Sequence, residues 1–223
     1  MADLLSLDEH GAELHKGAAL ASLDILERLL STCSPGRAGT RLYGLAGLAD
    51  LLHAESLIGS VAANHLGENS RPVRAILFDK TPGANWGLGW HQDRTIAVRD
   101  REDLPDYGPW SIKAGVPHVE PPFAVIQAMV TLRIHLDDVP KQNAPLLIAP
   151  GSHRLGRISE PEIADAVGRC GTAMCLAQRG DVWSYSTPIL HASTPSTGHA
   201  HRRVLQVDYA AAPLAAPLEW LRV

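Results

Sequence analysis

Residues 123–137 (FAVIQAMVTLRIHLD) carry the cleanest alternation in the chain. Ile126, Ala128, Val130, Leu132, Ile134 and Leu136 fall on one side, and Gln127, Met129, Thr131, Arg133 and His135 fall on the other. Successive side chains of a strand point to opposite faces. The pattern predicts a strand whose apolar face packs on N-terminal helices and whose polar face lines a barrel interior. Leu20, Leu23, Leu26, Leu29 and Leu30 recur at helical spacing and stop at Ser34-Pro35-Gly36, and a second apolar-periodic stretch runs from about Leu45 to His65. Residues 1–67 therefore read as mostly helical.

Beyond residue 70 the runs shorten. Arg74–Phe78, Pro145–Ala149, Asp181–Tyr185 and Arg203–Tyr209 read as strands, with turns at Pro150-Gly151-Ser152 and Arg179-Gly180-Asp181. The stretch 97–122 holds five prolines and two glycines and reads as a long loop, a length often used for a lid. Helices followed by short strands and Gly/Pro turns predict an α+β chain, mainly β at its core, with a sandwich or barrel. At 223 residues one domain is expected, with 211–223 as a tail.

Composition narrows the function classes. A net charge of −4 offers no basic footprint for nucleic acid. No apolar run is long enough to cross a membrane, and the N-terminus lacks the pattern of a secretory signal, so a cytoplasmic location is the default expectation. Cys33, Cys170 and Cys175 form neither a disulfide framework nor a zinc module and read as reduced thiols.

The eleven histidines point towards chemistry. In Trp90-His91-Gln92-Asp93, His91 and Asp93 stand two apart on an extended segment and can face one ion. His191 follows about 100 residues on in Leu190-His191-Ala192-Ser193. Two histidines and a carboxylate on one face of a metal form the triad of non-haem Fe(II) oxygenases. Arg202 follows His191 by eleven residues and can meet a carboxylate through a bidentate pair, with Ser193 able to share it. Only one of Arg202 and Arg203 can face inward, and the spacing favours Arg202.

Ordered segments extend the pattern over roughly residues 70–210: Leu77–Pro82, Trp90–Asp93, His135–Val139, Asn143–Gly156, Gly180–Trp183, His191–Ser193 and Arg202–Tyr209. The chain resembles the phytanoyl-CoA dioxygenase (PhyH-like) family of Fe(II)/2-oxoglutarate-dependent oxygenases. The resemblance implies a double-stranded β-helix, a jelly-roll barrel, with helices packed outside. It implies Fe(II) on His91, Asp93 and His191, and 2-oxoglutarate on Arg202 and Ser193, with O2 as the second cosubstrate. Arg133 stands where relatives often carry a cosubstrate contact, and Lys80, Thr131 and Ile76 are further candidates. Succinate and CO2 would be products. Asp93 favours hydroxylation, because halogenating relatives typically replace this carboxylate with a small residue.

Trp86, Arg94, Thr95, His118 and His135 are candidate substrate contacts, and Gln92 and Trp183 candidate supports behind the site. Arg94 and Arg133 suggest a small, anionic metabolite as substrate. Two rivals stay open at this level: a cupin-like metal enzyme without 2-oxoglutarate, and a non-catalytic binding module on the same fold. The oligomeric state is not legible.

Overall fold

A computed structural model describes residues 4–33, 39–198 and 201–223. The helices are α1 (Leu7–His10), α2 (Leu23–Leu30), α3 (Leu48–Leu52), α4 (Gly59–Leu66), α5 (Phe123–Gln127) and α6 (Ile163–Cys170). The first strands are β1 (Ala12–His15), β2 (Thr40–Leu42), β3 (Arg71–Lys80), β4 (Leu88–His91) and β5 (Ile96–Ala97). After them come β6 (Trp110–Lys113), β7 (Val116–Val119), β8 (Val130–His135) and β9 (Leu146–Ile148). The last four are β10 (Ala173–Cys175), β11 (Val182–Ser186), β12 (His191–Ser193) and β13 (Arg202–Ala210).

Two antiparallel sheets make the walls of a jelly roll. One has six strands in the order β1-β11-β8-β13-β3-β2, and the other four in the order β10-β9-β12-β4. The alternation of β8 and β13 separates the two faces of the larger sheet. Val130, Leu132, Ile134, Leu205, Val207 and Tyr209 point outward into one core with Leu23, Leu26 and Leu30 of α2. These helix positions share one face by their three- and four-residue spacing. Tyr209 is fully buried, and its hydroxyl donates to Leu52 O at 3.0 Å. Truncating one such core side chain to alanine costs about 2–5 kcal/mol.

The opposite face of the sheet is polar. Arg74, Ile76, Phe78 and Lys80 alternate along β3, and Arg202, Val204, Gln206 and Asp208 along β13. The antiparallel register sets Lys80 opposite Arg202, Ile76 opposite Gln206 and Arg74 opposite Asp208. On the other side of β13, Arg133 pairs with Gln206 and Thr131 with Asp208. Register thus gathers charged side chains into three rungs of one face, with the Phe78–Val204–His135 rung between the first and second.

The structure corrects several expectations. The strand foreseen over 123–137 begins only at Val130, because Phe123–Gln127 forms α5 behind Pro122. Proline suits the start of a helix, and a short apolar run fits either period. The expected loop over 97–122 carries β6 and β7, which join β5 in a three-stranded sheet of order β5-β7-β6. Ile96, Val98 and Val119 pack there with Leu214, Leu218 and Trp220 of the expected tail. The N-terminal segment supplies the edge strands β1 and β2 besides its helices. The expected stop at Ser34-Pro35-Gly36 lies outside the described residues. Of the predicted turns, Gly180 needs its glycine: φ is +92°, and an added Cβ would meet Leu20 Cδ2 at 2.5 Å.

Candidate active site

β4 and β12 pair so that His91 and His191 face each other directly. Their ring centroids are 4.3 Å apart. Asp93, two residues beyond His91, completes the group: one ligand atom from each of the three residues lies within 4.8 Å of the others. His91 Nδ1 donates to Gly89 O at 2.7 Å, and His191 Nδ1 donates to Ile189 O at 2.9 Å. A carbonyl can only accept, so each Nδ1 carries the proton and each Nε2 keeps a lone pair, the form in which imidazole binds a metal. Burial pushes His191 down to about 4, which keeps that ring neutral. For Asp93 burial opposes the charge, but Arg74 and the two histidines outweigh it and hold the carboxyl below its usual range.

Arg74 ties the triad to the sheet. Its Nε donates to Asp208 Oδ2 at 2.5 Å, and its Nη2 lies 3.6 Å from Asp93 Oδ2. Asp208 also accepts from Thr131 Oγ1 at 3.0 Å, and Thr187 sits 3.0 Å behind Thr131. Because Thr131 spends its proton on the carboxylate, Thr187 donates to it.

A cavity of about 320 Å³ opens in front of His91, Asp93 and His191. At one end stand Arg133 and Arg202, both buried. Arg133 Nη1 donates to Gln206 Oε1 at 3.0 Å and its guanidinium lies 5.5 Å from the Phe78 ring centre, while Arg202 Nη1 donates to Ala144 O. The Nε of each is buried with no hydrogen-bond partner among the described residues. Lys80, 1% exposed, donates to Trp86 O at 2.6 Å and Thr194 O at 3.1 Å. Burial, with Arg202 and Arg133 nearby, lowers Lys80 to about 7, and burial lowers Arg202 to about 9. Buried cations without a counter-charge are costly, so this end is built for a bound anion. A dicarboxylate beside a His/Asp/His group meets that demand.

The sequence profile of the phytanoyl-CoA dioxygenase (PhyH) family matches residues 48–204. The chain belongs to that family. Among solved structures it is similar to AviO1 from Streptomyces viridochromogenes Tue57, at 23% identity over 94% of both chains with a TM-score of 0.62. It is also similar to EctD from S. alaskensis with bound Fe, at 16% identity over 95% of this chain and 77% of that one, TM-score 0.67. A third is SnoK, a non-heme alpha ketoglutarate dependent carbocyclase from nogalamycin biosynthesis, at 19% identity over 95% and 86%, TM-score 0.63. No curated protein sequence matches the chain. These identities speak for the shared jelly-roll fold. As a PhyH protein the chain is an Fe(II)- and 2-oxoglutarate-dependent oxygenase using O2, acting on a small molecule, and among the described residues no helix is long and apolar enough to cross a membrane.

The remaining candidates divide. Ser193, Ile76, Trp86 and Thr95 line the cavity, as does Arg133. Gln92 points away from it: its Nε2 donates to Gly156 O at 2.9 Å and Pro188 O at 2.8 Å, and its Oε1 accepts from Ile158 N at 2.9 Å. It braces the loops behind the triad from the opposite side of the strand. Trp183 is buried in a separate apolar cluster and donates to Leu176 O at 2.9 Å, so it is wall.

Lys80 stands beside Arg202 but outside the cavity lining, and four further residues do not reach the cavity in the expected way. Arg94 turns outward and donates to Ile158 O, because it stands one residue past Asp93 on the opposite side. Thr131 is buried behind Asp208. His118 is fully buried in β7 and donates from Nδ1 to Val116 O at 2.9 Å, and burial lowers it to about 4. His135 is buried with both ring nitrogens unpartnered among the described residues, and desolvation pushes it well below its ordinary value.

Sequence reading missed Arg41, Arg74, Lys113 and Gln206, all on the cavity wall. Arg74 shares the parity of Ile76 and Lys80 on one strand, and Gln206 that of Arg202. That signal was present. For Arg41 and Lys113 there was none.

Proposed function

We propose that the chain hydroxylates a small organic metabolite, converting 2-oxoglutarate to succinate and CO2, with residues 1–223 acting as one oxygenase domain. The observation that carries this reading is the pairing of a metal-ready His/Asp/His group with two buried guanidiniums whose Nε atoms lack partners. His91, Asp93 and His191 would hold Fe(II) through two Nε2 atoms and a carboxylate. Iron and 2-oxoglutarate supply the oxidising chemistry when bound.

The chain's own side chains do the positioning. Arg202 with Ser193 would hold the distal carboxylate of 2-oxoglutarate, with Lys80 adding charge from the same rung and Arg133 from the rung of Gln206. Phe78, between those two rungs, and Ile76, opposite Gln206, keep that end apolar and exclude water. Asp93 keeps the carboxylate that halogenating relatives typically lack, which supports hydroxylation. A cupin-like enzyme without 2-oxoglutarate, or a passive binding module, has no use for a buried Arg202 that lacks a carboxylate partner among the described residues. The cavity's small volume suits a metabolite rather than a long acyl thioester.

Turnover under isotopically heavy O2 with a panel of small metabolites tests the reading. One heavy oxygen in the organic product and one in succinate supports hydroxylation. Succinate labelled while the product gains no oxygen would point to cyclisation or desaturation. No succinate formed with any metabolite would reject the oxygenase assignment.

A further inference from the structure

Five basic side chains border the cavity, against one carboxylate, Asp93. Arg133 and Arg202 form the end assigned above to 2-oxoglutarate. Arg41, Arg74 and Lys113 form a second group. They arrive from three separate elements: β2 at the edge of the large sheet, β3 within it, and β6 of the small sheet. Nothing in local sequence forces them together; the fold does.

These three are not ordinary rim cations. Arg41 is half-buried, and its Nε is buried with no hydrogen-bond partner among the described residues. A solvated arginine would keep that donor in water. Lys113 Nζ is fixed on Thr95 Oγ1 at 3.0 Å, a neutral acceptor, and the carboxylate that offsets its charge is the metal-ligand candidate Asp93. Burial, then Arg74 and Arg41, outweigh Asp93 and hold Lys113 below its ordinary value, and burial with Arg74 lowers Arg41. Among the described residues only Arg74 of the three forms close ion pairs, with Asp208 and Asp93. Asp93 in turn would be occupied by the metal, which brings two further positive charges. With Asp208 taken by Arg74 and Asp93 by the metal, one dianionic cosubstrate at the Arg202 end leaves Arg41 and Lys113 short of counter-charge.

We infer that Arg41 and Lys113 form an anion anchor for the prime substrate, which therefore carries a carboxylate, phosphate or sulfate group. Arg74, 3.6 Å from Asp93, joins that anchor to the metal side of the cavity. The inference rests on 2-oxoglutarate occupying the Arg202 end. It replaces Arg94 and Arg133, the residues from which the sequence suggested an anionic substrate, with two others.

The test uses the full chain loaded anaerobically with Fe(II) and 2-oxoglutarate. Radiolabelled inorganic sulfate is the probe in equilibrium dialysis, at constant ionic strength. The metal-to-ligand charge-transfer band is followed in the same samples. The expected result is one sulfate per complex in the wild type, with the band retained. Arg41→Gln and Lys113→Gln should each weaken sulfate by about tenfold or more, the scale of one charge-assisted hydrogen bond. Both should keep the band, which also reports that each variant is folded. Sulfate that fails to bind, binds the variants equally, or binds only by displacing 2-oxoglutarate would overturn the anchor. Arg41- and Lys113-dependent sulfate binding with no band in the wild type would uphold the anchor and reject the cosubstrate assignment instead.

Discussion

Two groups of one carboxylate and two histidines occur among the described residues: His91, Asp93 and His191, and Glu13, His15 and His65. The donor types are the same and so is the clustering. Their surroundings differ. In the first, both Nδ1 atoms are committed to backbone carbonyls, so both Nε2 atoms are free. In the second, His15 Nε2 is engaged by Ser184 Oγ at 2.9 Å, and Glu13 accepts the Leu7 N–H at 3.4 Å and lies 3.9 Å from His65. The first borders a cavity with unpaired guanidiniums; none of the second group borders it. Proximity of donors is a weak criterion for a metal site. Committed tautomers and an adjacent demand for anions are stronger ones.

The most severe way to break the comparison is to remove a donor from each group. His191→Ala should abolish stoichiometric Fe(II) binding in anaerobic calorimetry, while His65→Ala should leave it unchanged. Loss in both would merge the two groups into one folding effect.

Removing the charge behind the first group should cost less than removing a ligand. Arg74→Ala leaves Asp208, 2% exposed, without its cation, a loss on the scale of about 3–5 kcal/mol of stability. Fe(II) affinity should fall about 10–100-fold, as for other supports of a metal ligand. Thermal melting and metal titration read the two separately. A variant as stable as the wild type would show that Arg74 does not carry Asp208.

A third effect is in pH. Lys80 has a lowered value of about 7 before 2-oxoglutarate binds. A dianion nearby favours the ammonium and raises that value, so above about pH 7 binding must take up a proton. Affinity for 2-oxoglutarate should be fully developed below pH 7 and decline as pH rises above it. Calorimetry in buffers of different ionisation enthalpy measures the proton uptake. Constant affinity from pH 6 to about pH 9, a window spanning the lowered value, would remove Lys80 from the site.

The smallest effect belongs to the neighbour of Arg202. Arg203 faces outward to Asp137 at 2.7 Å and Glu27 at 2.9 Å. Arg203→Ala should cost about 1 kcal/mol or less in stability and leave 2-oxoglutarate affinity as it was. A large loss of affinity would reverse the assignment of the two arginines.

Parity explains what the sequence could tell. Period-two alternation in β8 separated Leu132 and Ile134 from Thr131 and Arg133, and the same count separated Arg202 from Arg203. His91, Asp93 and His191 were legible because their donor chemistry is rare in combination. Arg41 and Lys113 were not. Each comes from a strand of three or four residues, TRL and WSIK, too short to show a period; Arg41 reaches the cavity through a pairing with β3 distant in sequence, and Lys113 on the outer strand of a hairpin. Arg94 misled for the opposite reason: it lies beside Asp93 in the chain, but one step along an extended segment turned it to the other side.

The measurement closest to the central claim is anaerobic titration of the Fe(II)-loaded protein with 2-oxoglutarate, wild type against Arg202→Ala, following the charge-transfer band. The wild type should form the band. The variant should need far more 2-oxoglutarate, by about 2–5 kcal/mol in affinity for one lost partner of a buried charge pair, with Fe(II) binding intact. A wild type that binds iron and forms no band, or a variant that titrates like the wild type, would contradict the account.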